Sequence, residues 1–242
     1  MDSALWHHPG CLQVLAGEDG ADAFCVAQSV RVHARAREFA SDLLSASGIT
    51  TQVHTKTLEA SSWLVDVGAS SMTIGASVCS PTGCLAVASR KFVRTAKGTN
   101  RPWAWTQDEQ NALGAVLDAD RALADSLCFG EELPLIRRLS LTPNAKPPRT
   151  VFATPVLPSM LGVGGHFDHA AMLELAVDAH LLSGGVEDPG KSFEARVNYL
   201  GQAGVGDTVQ ALDVDGAVIL RGAATFEQWE RAILCIAEFE KR

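Results

Sequence analysis

The chain lacks most of the marks by which the commoner functional classes are recognised. No stretch approaches the roughly 18 consecutive apolar residues of a membrane-spanning helix. The sequence opens Met1-Asp2-Ser3-Ala4-Leu5-Trp6-His7-His8 without a basic stretch leading into a long apolar run. No membrane span and no secretory route are therefore expected, although a short organelle presequence is compatible with the sequence. Basic charge is scarce: 20 Lys and Arg stand against 28 Asp and Glu, a formal net charge of −8. The basic residues are scattered apart from pairs such as Arg90-Lys91 and Arg137-Arg138. Phosphate binding needs concentrated cations, so direct nucleic-acid binding is not expected. Neither a Gly-x-Gly-x-x-Gly between strand and helix nor a Gly-x-Ser-x-Gly elbow occurs, which disfavours nucleotide binding and serine-hydrolase chemistry.

Cysteine is present six times, at 11, 25, 79, 84, 128 and 235, but never as Cys-x-x-Cys. Apolar surroundings such as Ile233-Leu234-Cys235-Ile236 read as buried thiols in a reducing compartment, a cytoplasm or an organelle matrix. Cys79 and Cys84 flank Ser80-Pro81-Thr82-Gly83, a hairpin-turn sequence, and are expected to face each other across two strands. A metal site there would need two more ligands, so no metal and no cofactor are expected. What remains is an ordinary globular composition, 47% hydrophobic and 20% charged residues, with length enough for two domains.

An internal repeat organises that length. Asp66-Val67-Gly68-Ala69-Ser70-Ser71-Met72-Thr73-Ile74-Gly75-Ala76-Ser77 aligns with Asp213-Val214-Asp215-Gly216-Ala217-Val218-Ile219-Leu220-Arg221-Gly222-Ala223-Ala224, and at the same offset Phe92 meets Phe239. Both stretches read as antiparallel strand meanders. Upstream of each lies a helical segment, Arg35 to Ser47 before Gly48 and Phe167 to Leu182 before Ser183-Gly184-Gly185. Met172, Leu175, Ala176 and Ala179 form the apolar stripe of the second. Each half is thus expected to run strand, helix, antiparallel strands. Between them Thr106-Gln107-Asp108-Glu109 is a capping box opening a helix to about Leu127, with Asp118, Asp120 and Asp125 on its polar side. Pro134, Pro143, Pro147 and Pro148 then mark a linker. The expected domains are 1–128, a linker over 129–148, and 149–242.

The stretch richest in chemistry is Gly162-Val163-Gly164-Gly165-His166-Phe167-Asp168-His169, followed by Asp178, by Arg196-Val197-Asn198-Tyr199, and by Gly206-Asp207. It resembles the hot-dog thioesterase pattern: Gly-His-aliphatic-Asn-Asn opening the central helix, an acid late in that helix, a strand ending in Tyr, and Gly-Asp before the next strand. The resemblance spans about 150 to 242 and extends, through strands alone, to Val53–Pro102. It implies an α+β fold of two tandem hot-dog domains, each an antiparallel sheet around a central helix, paired as an intramolecular pseudo-dimer. Pairing of two such sheets would also remove exposed edges. The implied function is hydrolysis or binding of an acyl thioester, carried by coenzyme A or acyl carrier protein, in fatty acid metabolism. The alternative is a catalytically silent structural or assembly subunit of a larger complex; further homo-oligomerisation is compatible with either.

For the chemistry, glycines let a substrate approach the backbone, and free N–H groups at a helix N-terminus suit a developing oxyanion. His166, Asp168, Asp42 and Asp178 are the candidate catalytic groups; Gly164, Gly165, His169, Glu38 and Tyr199 are candidate substrate contacts. The Asp that usually precedes this motif is absent from Ser159-Met160-Leu161-Gly162, so Asp168 or Asp178 would have to replace it. These two are ten positions apart, about 15 Å along one helix, too far to act on one atom. Asp42 or Glu38 would then face Gly165-His166, and Asp178 would face His33 to Arg37. Plain readings stand beside these: Asp168 as a helix cap, Asp178 and Glu174 as a solvated face, Tyr199 as core packing.

Overall fold

The computed structural model describes residues 21–36, 58–96, 99, 101–121, 124, 132–139, 148–162, 165, 167–184, 192–222 and 233–241. Two compact units emerge, one of residues 1–136 with 189–194 and 241–242, the other of residues 137–188 with 195–240.

In the first unit, β1 (Ala21–Val32), β2 (Glu59–Val67), β3 (Ser71–Ser80) and β4 (Gly83–Ala96) form an antiparallel sheet ordered β2-β3-β4-β1. Alternation along β2 and β3 sends Leu64, Met72 and Ile74 into a cluster with Trp105 and Leu113, while Trp63 joins Cys79, Cys84 and Val87 in another. Trp63 and Gly75 are register partners. A Cβ on Gly75 would come within 2.7 Å of the Trp63 ring, so only glycine leaves room for the indole.

Helix α1 (Gln107–Arg121) begins at the expected capping box. Thr106 N–H donates to Glu109 Oε2 at 2.7 Å and Glu109 N–H donates to Thr106 Oγ1 at 3.3 Å, the reciprocal bonds that satisfy orphan donors. Leu113, Val116 and Leu117 form the stripe that packs on the sheet. Asp120 continues this stripe, three residues after Leu117, and this corrects its expected place on the polar side. It is buried, and its Oδ2 accepts the backbone N–H of Leu64 at 2.6 Å, pinning the helix to the outermost strand of this sheet. Asp118 is exposed as expected, 3.7 Å from Arg121; Asp125 lies outside the described residues.

The second unit holds β5 (Arg149–Pro155), a 3-10 turn at Pro158–Met160, α2 (His169–Leu182), β6 (Phe193–Tyr199), β7 (Thr208–Val214), β8 (Ala217–Gly222) and β9 (Ile233–Lys241). The sheet order is β6-β9-β8-β7-β5, with Phe193 and Glu194 of β6 grouped with the first unit. Ile219 packs with Leu139, Leu212, Val214, Ile233 and Ile236. Its neighbours Val218 and Leu220, equally buried, face the other way, where α2 lies on β7 and β8. Met172, Ala176 and Ala179 are the helix's buried residues, and the two alanines let it approach closely.

The sequence repeat coincides with a structural one. Asp66-Val67 ends β2 as Asp213-Val214 ends β7, each before a tight turn; Phe92 lies in β4 and Phe239 in β9. The second of these turns is Asp215-Gly216, with φ of 51° and 89°, the positive-φ pair a two-residue hairpin prefers. The strand ahead of the helix differs between units. β5 precedes α2 and pairs with β7, whereas β1 precedes the helical residues 34–36 and pairs with β4, the place β6 holds beside β9.

Candidate functional site

The approach to α2 is shaped by backbone bonds from three directions. After β5, Val156 N–H donates to Asp207 O and accepts Gly206 N–H on its own carbonyl, which fixes the chain beside the 204–207 turn. Asp207 closes that turn by accepting Gly204 N–H on Oδ2 at 2.8 Å, and Gly206 supplies its positive φ of 86°. The chain then makes the 3-10 turn and a second tight turn in which Gly165 N–H donates to Gly162 O, with Gly165 exposed at φ 73°. Leu161 and Phe167 bridge across its base. Phe167 N–H donates to Ala203 O, and Asp168 N–H to Met160 O.

Asp168 is the N-cap of α2. Its extended backbone (φ −70°, ψ 144°) directs Oδ2 to the N–H of Ala170 at 3.0 Å, and Oδ1 lies against Gly162. A Cβ at Gly162 would meet that oxygen at 3.2 Å, so the small residue leaves the carboxylate its place. His169 follows as the first helical residue. Its ring meets Tyr199 edge-on, centroids 4.2 Å apart at 65°, and Tyr199 OH donates to His169 O at 3.2 Å. The only tyrosine of the chain thereby ties the end of β6 to the first turn of α2.

The structure thus brings Asp168, His169 and Tyr199 together beside Gly162 and Gly165. Asp178 lies further along α2, exposed one turn beyond the equally exposed Glu174. His166, Gly164, Asp42 and Glu38 lie outside the described residues. Free N–H groups at this helix start were expected, and four of the described amides around it already have acceptors. The amides of Gly165, Phe167, Asp168 and Ala170 all donate within the chain, to Gly162 O, Ala203 O, Met160 O and the Asp168 carboxylate. Sequence reasoning also missed Gly162, which seats the Asp168 carboxylate, and Ala203, whose carbonyl anchors Phe167. A glycine six residues before a capping acid was the available signal for Gly162; none existed for Ala203.

Among the described residues no group of three or more His, Cys, Asp or Glu is placed to hold a metal ion. Among them, too, no helix is long and apolar enough to cross a membrane.

By sequence, no protein-family model and no curated protein matches the chain. By structure, it is similar to an acyl-ACP thioesterase of Bacteroides thetaiotaomicron, with a TM-score of 0.58 at 12% identity over 92% of this chain and 78% of the other. It is also similar to the 12:0-ACP thioesterase of Umbellularia californica, with a TM-score of 0.57 at 12% identity over 93% and 77% of the two chains. A Lactobacillus plantarum protein described as an oleoyl thioesterase aligns with a TM-score of 0.55 at 11% identity, over 92% and 77%. With antiparallel sheets and few helices among its described residues, the chain therefore has a double hot-dog fold.

Proposed function

We propose that this protein hydrolyses an acyl thioester, of coenzyme A or of acyl carrier protein, at the start of α2. The observation that carries the reading is the grouping of a carboxylate, an imidazole and a phenol, Asp168, His169 and Tyr199, at a glycine-lined helix N-terminus. The likeness in fold to acyl-ACP thioesterases over more than nine-tenths of the chain supports it.

In this reading, the Asp168 carboxylate or the His169 imidazole takes a proton from water as its oxygen attacks the thioester carbonyl. The tetrahedral intermediate expels a thiolate, which recovers a proton, so that one water and one thioester give one carboxylic acid and one thiol. Thioester hydrolysis needs no cofactor. The positive end of the helix dipole favours both a carboxylate near its first turn and the negative charge that develops on the substrate oxygen. Tyr199, bonded to the carbonyl of His169, holds the imidazole's backbone in place.

The second reading, a catalytically silent hot-dog protein serving a larger assembly, is favoured by a different observation. Four amides around the helix start donate within the chain, which removes them as oxyanion donors. One experiment separates the two. The purified chain is presented with a panel of acyl-coenzyme A and acyl-carrier-protein thioesters of graded chain length, and released thiol is followed against a heat-denatured control. Turnover of any panel member that falls in Asp168→Asn or His169→Ala supports the hydrolase. Absence of turnover across the panel in folded protein refutes it and leaves the silent reading.

A further inference from the structure

We propose that Cys79 and Cys84 are a reversible oxidative modification site, a pair of thiols converted to a cross-strand disulfide at the tip of the β3–β4 hairpin. The two residues are directly opposed in the register of the hairpin, separated from its tip only by the Ser80–Gly83 pair. Opposed residues of an antiparallel pair put their side chains on one face, and both thiols belong to one cluster with Trp63 and Val87. Both are buried, Cys79 at 4% and Cys84 at 0% exposure.

The register shifts between Val78 and Cys79, next to the pair, and ideal strand geometry is compatible with joining the two thiols. Directly opposed residues have Cα atoms about 4.5–5.5 Å apart, inside the roughly 4.4–6.8 Å window of disulfides. Their Cβ atoms, typically about 4.5–5.5 Å apart, must close to about 3.5–4.5 Å. The bond therefore forms without moving the strands apart or together, but at the cost of local strain. Strained disulfides are the readily reduced ones, which makes this pair a switch rather than a permanent staple.

The surroundings supply access and charge. Pro81 and Thr82 at the tip are exposed, so opening only the last rung of the hairpin uncovers the pair. The guanidinium of Arg35 lies against Gly83, the residue next to Cys84, which places a cation beside the tip where an anionic oxidant would approach. The oxidant is a small-molecule disulfide of the glutathione class. One cysteine thiolate attacks a sulfur of that disulfide and expels one small thiolate, forming a mixed disulfide. The second cysteine thiolate attacks the protein sulfur of this bond and expels the other. Two protein thiols and one small disulfide thus become one protein disulfide and two small thiols, the two electrons passing to the oxidant.

The test uses the full chain incubated with oxidised glutathione, then quenched, digested without reductant and mapped by mass spectrometry. The expected product is a Cys79–Cys84 linkage lacking two hydrogens, formed about tenfold faster than any adduct at the buried Cys25 or Cys235 and reversed by excess reduced glutathione. The single variants Cys79→Ser and Cys84→Ser should each accumulate glutathione on the remaining cysteine, because no neighbour resolves the mixed disulfide. Circular dichroism of the oxidised wild type guards against reaction of unfolded chain. Failure of the linkage to form while the protein stays folded, or linkage of either cysteine to a different one, overturns the proposal. So does a product that reduced glutathione does not reverse.

Discussion

Asp168 offers the sharpest test, because its cap role and its proposed chemical role respond differently to the same substitutions. The carboxylate takes the Ala170 N–H at 3.0 Å from an N-cap position. Replacement by Ala leaves that amide unsatisfied and should cost about 1 kcal/mol. For a chain of this size that corresponds to a fall in Tm of about 2–4 °C. Replacement by Asn keeps an oxygen for Ala170 and loses only the charge at the positive end of the helix, about 0.3–1 kcal/mol. Asp168→Asn should therefore melt between Asp168→Ala and wild type. Its kcat should nevertheless fall by about 10² or more if Asp168 is the base, since an amide takes no proton from water. Thermal melts and thioester turnover on the two variants check both halves. An Asp168→Ala variant that melts like wild type would refute the capping argument. An Asp168→Asn variant of full kcat would refute the base assignment and pass that role to His169.

Four further outcomes follow from single contacts. Asp120→Ala, which strips the acceptor from the Leu64 N–H, should cost about 2 kcal/mol in urea titration, whereas exposed Asp118→Ala should stay within about 0.5 kcal/mol. Burial pushes the Glu109 carboxyl pKa up, but the Arg94 hydrogen bond, the Thr106 bonds and the Arg94 charge together outweigh it and hold the pKa below its ordinary 4.5. Its stabilising contribution is thus complete above that ordinary value and lost as pH falls through the lowered one, so the stability gap between wild type and Glu109→Gln should shrink on acidification. Burial pushes the Cys235 thiol up to about 12 against a weaker opposing hydrogen bond with the Leu220 backbone; native-state alkylation at neutral pH should leave it untouched, and rapid modification would contradict its burial. Tyr199→Phe, losing its bond to His169 O, should cost about 1 kcal/mol and raise the amide exchange of the first turn of α2.

The meanders and α2 were legible in the sequence because their signals are local. The repeated Asp-Val before a turn, the Asp215-Gly216 pair and a capping acid before an alternating apolar stripe each act over a few residues. Asp120 was misplaced although its spacing was available: three residues after Leu117 and seven after Leu113, it shares their face, and a carboxylate belongs there only because a sheet-edge amide waits for it. Strand β6 misleads in the same way. Phe193-Glu194-Ala195-Arg196-Val197-Asn198-Tyr199 alternates as a half-exposed strand would, yet Glu194, Arg196 and Asn198 are all buried. Glu194 pairs with Arg31 at 2.9 Å, Arg196 binds Glu240 through two bonds of 2.7 Å, and Asn198 takes the N–H of Leu139 and donates to Arg137 O. Alternation reports polarity, and polarity predicts exposure only where no partner arrives from elsewhere in the chain.

The same distinction governs the site. A glycine-rich stretch ending in an N-capping acid is legible as a helix N-terminus, and a helix N-terminus carries donors by construction. Which donors remain for a ligand depends on acceptors distant in sequence or out of pattern: Met160 O for Asp168, Ala203 O for Phe167. The Ala203 carbonyl lies 36 residues beyond the amide it receives, on a loop whose course is set by the Asp207–Gly204 turn. Loosening that turn should release the Phe167 amide while leaving Asp168 on Ala170, since the cap bond is internal to α2. Asp207→Ala is the substitution that does this, because it removes the acceptor of Gly204 N–H without touching the helix. It should therefore speed exchange at the Phe167 amide and leave exchange at Ala170 slow. If both amides instead exchange together, the approach and the cap are one cooperative unit, and the separation drawn between them fails.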